Sequence, residues 1–79
     1  MSDADILVLL KESLMEVVPG RDSDWSQVTL DTTIDDLSVD SVTFMELVSA
    51  VEERVGKVFP DDKLAQLTNF RDLAALAQG

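Results

Sequence analysis

The stretch Ser41-Val42-Thr43-Phe44-Met45-Glu46-Leu47-Val48-Ser49-Ala50-Val51-Glu52-Glu53-Arg54-Val55 decides the fold. Phe44, Leu47, Val48, Val51 and Val55 fall at i, i+3, i+4, i+7 and i+11, which is one stripe along an α-helix. Val42, Met45, Ser49, Glu52 and Glu53 lie on a different face. The spacing predicts an amphipathic helix over about 41–55. Gly56 supplies its C-terminal stop, and Lys57 sits favourably at the negative end of the helix dipole.

Working towards the N-terminus, the stretch from Gly20 to Asp40 has no helical period. Its apolar residues Trp25, Val28, Leu30, Ile34 and Leu37 are spaced as anchors that pin an ordered loop over a core, with a turn of helix near Thr33 to Leu37. Loops beyond about 12–15 residues in a compact domain are usually functional or disordered. Before it, Ile6, Leu7, Leu10, Leu14, Val17 and Val18 recur at helical spacing, which predicts a first helix over 3–18. Ser2 or Asp3 caps that helix and Pro19-Gly20 stops it.

Towards the C-terminus, Pro60 precedes a segment from Asp61 to Leu67 that has room for one short helix. Asn69 caps a last helix through Phe70, Leu73, Leu76 and Ala77. The expected fold is all-α: a small four-helix bundle of three main helices plus one short helix. A long ordered loop lies between the first and second helices.

The chain has 79 residues, the size of one small domain, and carries no cysteine and no histidine. Disulfides, thiolate nucleophiles, imidazole bases and conventional zinc sites are therefore excluded. The net charge is −10, with 16 acids against 6 bases. Such a chain repels nucleic-acid backbones and anionic lipid, so the expected partners are basic proteins, with no nucleic acid and no membrane. At 46% apolar residues it is too hydrophobic for a disordered acidic tail. No apolar run approaches the ~20 residues of a membrane span. The acidic start Met1-Ser2-Asp3-Ala4-Asp5 lacks the basic residues of a signal peptide, so a cytoplasmic setting is expected.

No basic residue lies between Arg21 and Arg54, a span containing Asp22, Asp24, Asp31, Asp35, Asp36, Asp40, Glu46, Glu52 and Glu53. A solvated acidic face is the ordinary explanation of such a run. The one-sidedness here favours a docking surface that steers basic partners. Ser41 lies inside the span, at the start of the expected helix. A serine there is usually a cap, but Asp40 is an equally good cap directly before it. That leaves the Ser41 hydroxyl free at the positive end of the helix, where backbone N–H groups and the dipole would stabilise a phosphodiester.

Leu37-Ser38-Val39-Asp40-Ser41-Val42 resembles the Leu-Gly-x-Asp-Ser-Leu signature of acyl carrier proteins. Glu46-Leu47-Val48 and Val51-Glu52-Glu53 look like that family's second helix. Phe59-Pro60-Asp61-Asp62 is similar to its Ile-Pro-Asp-Glu connection, and Leu67-Thr68-Asn69-Phe70 to the approach to its last helix. The likeness runs from about Leu30 to Ala77, and the ordered series is more specific than any one triplet. Ser38 stands where the family usually has glycine, Val42 where leucine is commoner, and Trp25 is not a family hallmark.

The resemblance implies a single acyl-carrier-type domain over 1–79 that is no enzyme. It implies 4'-phosphopantetheine attached to Ser41 from coenzyme A by a phosphopantetheinyl transferase, with acyl groups held as thioesters. Asp40, Val42, Met45, Glu46, Glu52 and Glu53 then form the docking face. Its partners are acyl- or aminoacyl-loading, condensing and tailoring enzymes with basic surfaces, and the carrier is expected to be a monomer. A freestanding carrier of fatty-acid or polyketide type is the main expectation. An aminoacyl or peptidyl carrier is the alternative, although its usual Gly-Gly-x-Ser is absent. An unmodified acidic helical interaction domain is the other alternative.

A calcium loop fails on spacing. Counting from Asp31, the sixth and twelfth positions are Asp36 and Val42; from Asp22 they are Gln27 and Thr33. Neither register supplies the required glycine and glutamate. Catalysis by a carboxylate pair is disfavoured, because a chain this small has no room for a deep pocket.

Overall fold

A helix from Asp3 to Val17 (α1) opens the computed structural model, which describes residues 2–78. Ser2 caps it, its hydroxyl accepting the Asp5 N–H at 3.2 Å. The helix ends one residue before the expected Val18, which has φ −127°. Pro19 explains this, because the residue before a proline is driven out of the helical region. Ile6, Leu10 and Leu14 face the core. Ser13 is buried among them and donates its hydroxyl to the Leu9 carbonyl at 2.8 Å, which satisfies it without breaking the helix.

The connection after α1 is more regular than the sequence implies. It contains a short helix, Asp22–Ser26 (α2), where a plain ordered loop was expected, and then a 3-10 turn at Asp35–Leu37 within the expected helical stretch. Five residues of mostly Asp and Ser show no apolar period, so α2 leaves no stripe to read. It is fixed instead by Trp25, which is buried and donates its indole N–H to the Val18 carbonyl at 3.0 Å. Arg21 stacks over that ring, 4.3 Å from its centroid, and reaches across to donate to the Leu37 carbonyl at 3.1 Å. Of the expected anchors, Trp25, Val28, Leu30 and Leu37 are buried, while Ile34 is half-buried against the core.

Backbone pairing ties this connection to the far end of the chain. Ile34 donates to the Thr68 carbonyl at 2.9 Å, Phe70 to Thr32 at 3.1 Å and Arg71 to Leu30 at 2.8 Å. The pairing is an isolated antiparallel bridge between Thr33 and Asn69; no strand forms among the described residues.

The third helix, Ser41–Val55 (α3), matches the expected span. Leu47, Val48 and Val51 are its buried face, with Phe44 and Val55 half-buried at its ends. Gly56 closes it in the left-handed region at φ 73°, a conformation glycine takes without a Cβ penalty. A single turn of helix, Asp61–Leu64 (α4), and a last helix, Phe70–Gln78 (α5), complete the fold. Asn69 caps α5 by accepting the Asp72 N–H at 3.1 Å, and Asp72 reaches back to accept the Thr68 N–H at 3.0 Å. The second bond falls one residue before the cap, a shifted form of the capping box.

The core is one cluster: Ile6, Leu10 and Leu14 from α1, Leu47, Val48 and Val51 from α3, and Phe70, Leu73, Ala74 and Ala77 from α5, closed by Trp25, Val28, Leu30, Leu37 and Phe59 from the connections and α2. Arg54 braces the outside of the α1–α3 contact through Glu16 at 2.6 Å. The radius of gyration is 11.3 Å; a compact domain of this length is expected near 11.6 Å, roughly. Among the described residues no helix is long and apolar enough to cross a membrane. The all-α bundle with three main helices is the fold the residue pattern implies.

Candidate functional site

Ser41 is the first residue of α3 and is exposed. The capping role falls to Asp40, whose carboxylate accepts the Thr43 N–H at 2.7 Å while its carbonyl accepts the Phe44 N–H at 2.9 Å. The Ser41 hydroxyl has no hydrogen-bond partner among the described residues. The Thr43 backbone N–H, and after it the Thr43 side chain, hold the Asp40 carboxyl below its ordinary value of 3.8. The carboxylate is therefore ionised at neutral pH and committed to the cap.

The chain reaches Asp40 through Ser38, which has φ 54° and ψ 42° and sits at the end of the 3-10 turn. That is the left-handed region, unusual for a residue other than glycine, asparagine or aspartate. The turn redirects the chain from the buried Leu37 to the exposed Asp40 within three residues. This backbone conformation explains why glycine suits the position.

Two open grooves meet at Ser41. One runs along α3 and is lined by Ser41, Val42, Met45, Glu46 and Ser49. The other lies between α3 and α4, with Ser41, Phe44 and Met45 on one wall and Asp61, Leu64 and Ala65 on the other. Val42 is 67% exposed and Met45 47%, so two apolar side chains stand in solvent beside the serine. Glu46 and Glu53 are exposed on the same helix. Glu52 is different: it is half-buried, and its Oε2 accepts the Phe59 N–H at 2.6 Å.

Phe44, Leu64 and Ala65 were not singled out as site residues by the sequence. Phe44 belongs to the α3 stripe by spacing, but it lies three residues from Ser41 at the end of that stripe, so it forms part of the groove wall. Leu64 and Ala65 are far from Ser41 in sequence, and only the fold brings α4 alongside. Among the described residues no cluster of three or more Asp or Glu side chains is arranged to hold a metal ion.

Residues 10–77 match the family model described as a phosphopantetheine attachment site. An acyl carrier protein of Acidothermus cellulolyticus is 38% identical over 72 residues, covering 91% of this chain and 83% of that one. The chain belongs to the acyl carrier protein family. The carrier is also similar to an acyl carrier protein of Rhodococcus erythropolis, 37% identical over 66 residues, which span 82% of this chain and 70% of the relative. A meromycolate extension acyl carrier protein of Mycolicibacterium aurum is 33% identical over 78 residues, covering 98% and 77% of the two chains. No solved structure matches the carrier.

Membership makes the protein a carrier and not an enzyme, one that works with covalently attached 4'-phosphopantetheine. It meets a phosphopantetheinyl transferase and biosynthetic enzymes. An exposed hydroxyl on the first residue of a long helix, with the cap held by its neighbour, fits such a group. An exposed helix N-terminus favours a nearby negative charge by about 0.3–1 kcal/mol, and at α3 the Asp40 carboxylate already draws on that field.

Proposed function

We propose that Ser41 is the residue that bears the phosphopantetheine arm, and that the described fold is one carrier domain presenting aliphatic acyl groups to successive enzymes. The observation that carries this is the free Ser41 hydroxyl at the start of α3, beside an Asp40 that already fills the cap. When attached, the arm supplies a terminal thiol that holds acyl groups as thioesters. Ser41 Oγ becomes the bridging oxygen of a phosphodiester, and the Ser41 and Val42 N–H groups, not used by the Asp40 cap, are the donors of the first α3 turn left for that negative charge.

The remaining roles divide by chemistry. Val42 and Met45 offer apolar contact, while Glu46 and Glu53 offer negative charge on the same helix, a surface suited to a basic partner with an apolar rim. Phe44, Met45 and Leu64 line the α3–α4 groove and favour a hydrocarbon cargo. Against those apolar walls an aliphatic acyl group, as in fatty-acid or polyketide assembly, is the cargo that gains most from burial.

The test is to incubate the protein with coenzyme A, magnesium and a broad-specificity phosphopantetheinyl transferase, then measure its intact mass. The wild type gains one phosphopantetheinyl group and Ser41→Ala gains none. No gain in the wild type, or a gain that survives Ser41→Ala, overturns the assignment.

A further inference from the structure

Glu52 lies on α3 three turns beyond Ser41, within the acidic face, yet its groups point at the connection between α3 and α4. Its backbone carbonyl accepts the N–H groups of Gly56 at 2.8 Å and Lys57 at 3.2 Å. Its carboxylate accepts the N–H of Phe59 at 2.6 Å. One residue thus takes three of the N–H groups in the short connection that leaves α3. A charge-assisted hydrogen bond of this kind is shorter and about twice as strong as a neutral one.

The segment beyond that connection has little anchorage of its own. Phe59 is 4% exposed and joins the core, and Pro60 then leads directly into α4. The α4 helix is four residues long, has no side-chain cap and buries none of its residues; Leu64 alone packs part-way against the core. Such a turn is not stable by itself. Before it stands Phe59, seated in the core and held at its N–H by Glu52; after it, Leu67 packs part-way against the core and the Thr68 carbonyl accepts the Ile34 N–H. The same α4 supplies Asp61, Leu64 and Ala65 to the groove at Ser41.

We propose that Glu52 is a positioning residue: by holding the Phe59 N–H it fixes α4 as the second wall of the groove beside Ser41, and so sets how well a tethered acyl chain is sheltered. Glu53, its neighbour in sequence, is exposed and has no such bond, so it stays available to partners. The sheltering role rests on the proposed attachment of the arm at Ser41; the hold on α4 does not.

Two measurements test it, each on the wild type, Glu52→Ala, Glu52→Gln and Glu53→Ala, well below their melting temperatures. The first is amide hydrogen exchange at Phe59 and through α4 in the unmodified protein. Glu52→Ala should raise exchange at least tenfold. Glu52→Gln keeps an acceptor oxygen and should stay within about threefold of wild type, as should Glu53→Ala. The second is the rate at which hydroxylamine cleaves a medium-chain thioester on the loaded protein, which should rise in Glu52→Ala and be rescued in Glu52→Gln. Failure of the glutamine to restore protection, equal loosening by Glu53→Ala, or a loosened α4 with unchanged cleavage would each overturn the proposal. Absence of loading in the wild type would sink the proposed attachment at Ser41 alone, and the exchange pattern would still decide the hold of Glu52 on α4.

Discussion

The Asp40 carboxylate accepts the Thr43 N–H at 2.7 Å, bridging over Ser41, which lies between them in sequence and is left exposed. The cap and the candidate attachment point are therefore separate residues. A cap on Ser41 itself would set its hydroxyl against the backbone and take it out of reach of a partner.

That separation gives a pH prediction. The Asp40 carboxyl is held below its ordinary 3.8 by the Thr43 backbone N–H and then the Thr43 side chain. A group whose pKa is lower in the folded state adds stability above its unfolded value and loses it as pH falls through the folded one. The first turn of α3 should therefore loosen on acidification below 3.8, seen as an inflection in the Thr43 amide shift. Asp40→Ser preserves a cap without a titrating group and should abolish the inflection, whereas Asp40→Ala should lower Tm at neutral pH. An inflection that persists in Asp40→Ser would assign the titration elsewhere.

Ser38 carries a second prediction. A side chain in the left-handed region costs about 1–2 kcal/mol, partly offset on replacement by the about 0.5–1 kcal/mol of extra entropy that glycine loses on folding. Ser38→Gly should therefore stabilise the fold by about 0.5–1 kcal/mol, read as a higher urea midpoint at an unchanged slope. Ser38→Val, β-branched at φ 54°, should destabilise it. A stabilising valine would contradict the backbone geometry.

The three main helices were legible because each has an apolar stripe that recurs with the helical period and ends in a recognisable signal, such as Pro19-Gly20 or Gly56. Asp40 and Ser41 were legible because capping is a local interaction between near neighbours. The α2 helix was not, since it depends on the Trp25–Val18 bond and the Arg21 stack, and neither leaves a period. The inward turn of Glu52 was hidden for a related reason. Helical spacing places it near Glu53, and only the path of the chain after Gly56 brings Phe59 back to its carboxylate.

Trp25 should be a stability residue and not a site residue. Trp25→Phe keeps most of the buried ring but leaves the Val18 carbonyl without its indole donor, at a cost of about 1–3 kcal/mol. A domain of this size holds only about 3–5 kcal/mol, so the urea midpoint should drop markedly when followed by circular dichroism. Loading at Ser41 should be unaffected at temperatures where the variant remains folded. A loading defect in the folded variant would instead make α2 part of the transferase contact.

Docking should depend on salt and on particular carboxylates. Exposed charge pairs contribute about 0–1 kcal/mol each and are screened over ~8 Å at physiological ionic strength. The kcat/KM of transferase loading should therefore fall as salt is raised. Glu46→Gln and Glu53→Gln should each lower it severalfold at low salt, with the difference from wild type shrinking at high salt. Glu52→Gln should have the smallest effect of the three, because that carboxylate is already engaged by Phe59. Val42→Ala should lower kcat/KM at every salt concentration, since burial of its 67% exposed side chain against a partner is not screened. If loading were insensitive to salt, or if Glu52→Gln were the most damaging of the three, charge steering through the exposed α3 face would be the wrong account of how partners find Ser41.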